Sequence, residues 1–206
     1  MKRTDALMLG GLLFVLAGCN VVQTNPHDDT AITNPIPITA PAINSNDKQN
    51  YLDAINAARR SAQNCGSKGN FPAVANVTWN DALYKAAYEH NKDMNASNVV
   101  NRDHTGSNTA SDYTAQVQHL DHGSTTRDRI ANNGYGAYLS TGEIQVVGAV
   151  DNVLMDTVDK VLQIWLSNDA KCANLMDPDF KEMGMAHLDD NASKYKHYWT
   201  VDFGSR

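Results

Sequence analysis

The order of apolar periods along the chain predicts an α+β fold. Helical spacings dominate the first two thirds, and two short strand-like runs close the sequence. Nowhere do strands and helices alternate as a doubly wound parallel sheet requires, so a sandwich of helices on an antiparallel sheet is expected.

The first helix is expected over 48–64, because Tyr51, Leu52, Ile55 and Ala58 recur at helical steps, with Asp47 as N-cap and Gly66 as stop. Gly66, Gly69 and Pro72 mark a loop over 66–78. Leu83, Ala86, Ala87, His90 and Met94 define a second helix over 80–96, capped by Asn80. Residues 98–142 are polar, and only Thr126 to Asn133 reads as ordered. Within this stretch Asp103-His104-Thr105-Gly106-Ser107 is echoed by Asp121-His122-Gly123-Ser124. Glu143 to Val150 is apolar and β-branched, which fits a strand or a buried turn. Leu154, Val158, Val161, Leu162 and Trp165 form the cleanest amphipathic helix. Met183 to Leu188 and His197 to Phe203 then read as strands, joined around Asp189-Asp190-Asn191.

A chain of 206 residues with 42% hydrophobic and 19% charged residues supplies one globular core with some length to spare. Lys plus Arg number 17 against 23 Asp plus Glu, a formal charge of −6. Such a balance argues against a nucleic-acid partner, which needs clustered positive charge. No window reaches the ~18 apolar residues of a membrane span.

The N-terminus carries an address. Lys2 and Arg3 precede an apolar stretch from Ala6 to Ala17, and this ends in Leu16-Ala17-Gly18-Cys19. The arrangement has the form of a signal peptide over 1–18, and its end resembles the lipobox of bacterial lipoproteins. Cys19 is then the lipidated first residue of the mature chain, with the membrane as partner through its acyl chains. Residues 19–47 contain Pro26, Pro35, Pro37 and Pro41 among many Asn and Thr, and read as a disordered tether. The globular domain is expected over 48–206. Outside the reducing cytosol, the remaining Cys65 and Cys172 can form a disulfide, with two buried free thiols as the alternative.

Several strings, in order, resemble the CAP superfamily of cysteine-rich secretory, antigen 5 and pathogenesis-related proteins. They are Thr78-Trp79-Asn80-Asp81-Ala82-Leu83, His104-Thr105-Gly106-Ser107, Arg129-Ile130 with Gly134-Tyr135, and Gly142-Glu143-Ile144. Trp165 with Cys172-Ala173-Asn174-Leu175-Met176, then Tyr198-Trp199-Thr200 with Phe203-Gly204, complete the set. The resemblance implies an α-β-α sandwich with a small antiparallel sheet and a long cleft. It also favours pairing of Cys65 with Cys172, because bacterial members often carry cysteines at matching positions.

The family cleft implies two His and two acidic residues, often around zinc or another divalent ion. His104 matches the first His and Glu143 the Glu of the Gly-Glu-Asn motif, so these two are the candidate metal ligands. His122, in a similar Asp-His-Gly setting, is a rival for His104. The second His is replaced by Lys171, and the second acidic position by Asn168. A lysine ammonium donates hydrogen bonds and ligates no metal at neutral pH, and it is expected to pair with Glu143. The spacing from His104 to Arg129 exceeds the family's, which implies an insertion. His90 is expected to be a half-buried packing histidine, and Trp79, Trp165 and Trp199 to be core anchors. His119, Asp121 and His122 form a weak surface metal pattern.

No Gly-x-Ser-x-Gly elbow and no His-Glu-x-x-His helix occurs. The expected function is therefore a non-catalytic binding module in the bacterial cell envelope. Its ligand would be a small apolar or amphipathic molecule, a peptide or an envelope component. A metal-dependent hydrolase of peptide or glycan is the alternative. Asn20 after the lipidated cysteine resembles the sorting signal for the outer membrane of a Gram-negative cell.

Overall fold

The computed structural model describes residues 38–150 and 153–206. The expected signal peptide, Cys19 and most of the expected tether lie outside the described residues.

Helix α1 spans Ser45–Arg59, with the Asn44 side chain accepting from the Asp47 amide as N-cap. The helix thus starts earlier than expected, and Asp47 sits in its first turn, where a carboxylate favours the positive end of the dipole. It stops well short of Gly66, because the chain turns into strand β1 (Gln63–Asn64), which pairs with β2 (Asn70–Phe71). Strand β3 is Thr78–Trp79, and helix α2 is Asp81–Ser97, capped by Asn80 as its sequence predicts.

Part of the stretch read as loop is helical. Helix α3 (Tyr113–Gln118) lies in the expected insertion. Its short length gave no apolar period, and the buried Glu89 carboxylate anchors it by accepting from the Thr114 amide at 2.9 Å. Helix α4 (Thr126–Asn132) begins with a capping box between Thr125 and Asp128. Strand β4 covers Ser140–Val147, and a small hairpin pairs β5 (Ala149–Val150) with β6 (Val153–Leu154). Leu154 is therefore in a strand and outside helix α5, which spans Val158–Ser167. Helix α6 (Asp169–Leu175), capped by Asn168, follows at once. Strands β7 (Glu182–Asp189) and β8 (His197–Ser205) close the chain.

The main sheet has four strands in the order β3-β7-β8-β4, with β3 parallel to β7 and the other pairs antiparallel. The two late strands were expected; their neighbours on either side come from earlier in the chain. One face packs on α2 so closely that a Cβ on Gly184 would lie 1.9 Å from the Tyr84 backbone nitrogen. The other face carries the main core, where Ile144, Met183, Met185, Val201 and Phe203 meet Ile55 of α1, Val161 and Trp165 of α5 and Leu175 of α6. Helices cover both faces, as the sandwich expectation requires. Trp165 and Trp199 are buried core residues, while Trp79 is only half-buried.

Three ties hold this arrangement. Cys65 and Cys172 form a disulfide with Cα atoms 5.4 Å apart. Beside it, Asp169 accepts from the Ser67 amide and hydroxyl at 2.8 and 2.6 Å. Arg59, fully buried, donates to the carbonyls of Ala75, Leu175, Asp177 and Phe180. The end of the expected tether also joins the fold: Ala40 and Ile43 pack beside Tyr84, whose hydroxyl donates to the Pro41 carbonyl at 2.9 Å. Among the described residues no helix is long and apolar enough to cross a membrane.

Candidate functional site

Glu143 is the hub of the site. Strand β4 carries it on the α2 face of the sheet, directly opposite Asp202 of β8 in the register. Its side chain is almost wholly buried and ion-paired with Arg129, whose Nη2 lies 2.7 Å from Oε2. His104 Nδ1 lies 3.1 Å from Oε1, and His90 Nε2 lies 3.6 Å from the same oxygen. Burial alone would raise this carboxyl. The Arg129 guanidinium, and then the contact with His104, hold it well below the usual carboxylate range.

Arg129 does more than neutralise Glu143. Its Nη1 donates to the Ser124 carbonyl at 2.5 Å, and its Nη2 to the His104 carbonyl at 2.8 Å. It thereby joins the two echoed segments to the sheet. Those segments also touch directly, with the Gly106 amide donating to the Ser124 carbonyl at 2.8 Å. A Cβ on Gly123 would stand 2.0 Å from the Gly106 carbonyl oxygen, so only glycine fits there. His104 itself has φ of +65°, a conformation uncommon outside glycine. Asn101 pins the following turn by donating to the carbonyls of Thr105 and Gly106 at 3.0 and 3.2 Å.

The rival His122 is more than half exposed, and its Nδ1 contacts only the neighbouring Gly123 carbonyl. It takes no part in the site. His90 departs from expectation: it is completely buried, its ring nitrogens have no hydrogen-bond partner, and it stands next to Glu143. Burial, reinforced by the Arg129 charge, pushes it down to about 3, so it is neutral. Asp202 is equally buried, and neither carboxylate oxygen has a partner in the ionised form. Burial, and then the charge of Glu143, raise it well above the carboxylate range. Asp202 is accordingly the protonated acid of the pair and Glu143 the ionised one.

A cleft of about 820 Å³ opens against this cluster. Val100, Val146, Val147 and Ala170 give it apolar wall, while Arg102, His104, Glu143, Asn168 and Lys171 give it polar groups. All four expected cleft residues therefore line one cavity. Lys171 does not pair with Glu143, which Arg129 already neutralises. Its Nζ donates instead to the Gln145 carbonyl at 2.5 Å. Partial burial lowers this ammonium from the ordinary lysine range. The Asn168 side-chain oxygen is committed to capping α6 through the Lys171 amide at 3.1 Å.

The cleft does not fit a divalent ion. Both Glu143 oxygens are engaged, and Lys171 places a cation in the same cleft. The ligand atoms of His90, His104 and Glu143 do not gather within 4.8 Å; among the described residues only His187, Asp189 and His197 do so. The His119, Asp121 and His122 pattern does not gather either.

The molecule is thus a helix–sheet–helix sandwich with a His–Glu–Arg cluster beside a cleft. The chain belongs to the cysteine-rich secretory protein family (CAP), whose model matches residues 52–203. Among curated proteins, none matches it significantly. It is similar to an outer surface protein from Borrelia burgdorferi, with a TM-score of 0.54 and 17% identity over 82% of this chain and 99% of that one. It is also similar to an extracellular SCP-domain protein from Bacillus anthracis, with a TM-score of 0.53 and 18% identity over 81% of this chain and 45% of the other. At these identities the likeness shows the fold alone.

Sequence reading found His104, Glu143, Lys171 and Asn168. It passed over Arg129, His90 and Asp202. Arg129 was visible as part of a family string, but its work is done on backbone carbonyls, which leave no pattern. Asp202 carried one signal: a charged residue in the middle of a strand otherwise read as buried.

Proposed function

We propose that the protein is a lipid-anchored CAP-domain binding module of the bacterial envelope, whose cleft takes an amphipathic ligand with an anionic head. The observation that carries this reading is Lys171. Its ammonium faces the cleft, has one hydrogen-bond acceptor and no carboxylate partner among the described residues, and so keeps donors for a ligand. Arg102 lines the same cavity, and the valines offer an apolar wall beside the two cations. A cavity of about 820 Å³ is in the range of small-molecule sites. Glu143 is committed to Arg129, which argues against its use as a general base.

Titration of the full chain with dodecanoate by calorimetry tests the reading. Wild type should bind, and Lys171→Ala should weaken binding by roughly 1.5–3 kcal/mol, the range for a hydrogen bond to a charged group. Peptide or glycan hydrolysis that is lost both on chelation and in His104→Ala would instead favour the hydrolase.

The anchor rests on the Leu16-Ala17-Gly18-Cys19 sequence, and the Cys65–Cys172 disulfide supports an oxidising compartment. Membrane fractionation should find the wild-type chain with the envelope and Cys19→Ala in the soluble fraction. Equal partition of the two would contradict the anchor.

A further inference from the structure

The β7–β8 hairpin brings together three metal-ligating side chains that the cleft does not use. His187 and Asp189 are two residues apart on β7 and so share a face, and the register sets Asp189 opposite His197. By strand alternation this is the face opposite Glu143 and Asp202. Asp189 Oδ1 lies 2.7 Å from His187 Nε2 and 2.5 Å from His197 Nδ1. The ligand atoms of all three lie within 4.8 Å of one another.

The histidines are largely buried and the carboxylate is exposed. The His187 ring stacks on Trp199 at 3.7 Å and 11°, and Trp199 is itself fixed by donating from Nε1 to the Met155 carbonyl at 2.6 Å. His187 Nε2 is buried and, although close to Asp189, is not aligned for a hydrogen bond.

We propose that His187, Asp189 and His197 bind a divalent transition ion of the zinc class beside the β7–β8 turn. Two imidazoles and one carboxylate suit zinc and its neighbours, whereas calcium and magnesium take oxygen ligands. Tetrahedral zinc with bonds of about 2.0 Å sets its ligand atoms about 3.3 Å apart. Asp189 therefore swings outward by less than about 1 Å, which its 56% exposed side chain is free to do. Three protein ligands leave the fourth position to water. The ion would cross-link β7 to β8 where the turn begins.

The test uses the full chain, stripped with chelator, titrated with Zn²⁺ by calorimetry and with Co²⁺ by visible absorption. One ion per chain at micromolar or tighter Kd is expected, with the d–d bands of a tetrahedral cobalt site. Asp189→Asn, at an exposed position, and His197→Ala should each weaken binding by at least ~10-fold with unchanged near-ultraviolet circular dichroism. His104→Ala should leave it unaltered. No binding by wild type would overturn the proposal. Binding that survives both hairpin variants, or that is lost in His104→Ala, would overturn it as well.

Discussion

Asp202 and Glu143 face each other across β8 and β4, and only one can be ionised. Which one is decided by partners: Glu143 has the Arg129 guanidinium at 2.7 Å, and Asp202 has nothing that donates to it. Burial raises Asp202 well above its ordinary range, so the folded protein holds a proton there that the unfolded chain releases above about pH 4. Unfolding then releases a proton, and stability falls as pH rises from about 4 towards the folded-state value. His90 works the other way. It is held at about 3 when folded, so the unfolded chain takes up a proton below about pH 6.5 and stability falls on acidification. The two slopes oppose each other between about pH 4 and 6.5. Asp202→Asn removes only the first. Its urea stability should therefore rise relative to wild type with increasing pH, by up to about 1.4 kcal/mol per unit. Parallel profiles for the two proteins would show that Asp202 is ionised in the fold.

At the scale of elements, the site depends on how two loops meet. The echoed segments approach backbone to backbone at Gly106 and Gly123, and Arg129 holds both from α4. Gly123→Ala would place a methyl 2.0 Å from a backbone oxygen that no side-chain rotation can clear. A loss of roughly 1–3 kcal/mol in urea unfolding is expected, together with a changed histidine resonance for His104. An unchanged stability would mean that the loops part without cost.

Helix α2 and strands β7 and β8 were legible in the sequence because each has a clear period or cap. Helices α3, α4 and α6 were not legible as helices, although the α4 stretch read as ordered, since six or seven residues give too little period. The cleft histidine and glutamate were legible through family strings. The hairpin triad was not, because His187, Asp189 and His197 become neighbours only once the β7–β8 register is known.

For the whole molecule, the charge balance and the cleft point in different directions. The chain carries a formal charge of −6, yet the cleft presents Arg102 and Lys171 against a glutamate already neutralised by Arg129. On the proposed reading, two cations beside an apolar wall would select an anion attached to an apolar chain. The disulfide and the buried Arg59 hold α1, α6 and the β7 approach together, so the cleft wall formed by α6 is fixed relative to the sheet.

Head-group charge is the most direct test of this account. Dodecanoate and dodecyltrimethylammonium share a chain and differ in the sign of the head, and each can be titrated by calorimetry, below its micelle concentration, into wild type and Lys171→Glu. Wild type should bind the carboxylate and reject the ammonium, and Lys171→Glu should reverse or abolish that preference. Equal binding of both amphiphiles by wild type, or a preference unchanged in Lys171→Glu, would contradict the assignment of the cleft to an anionic ligand.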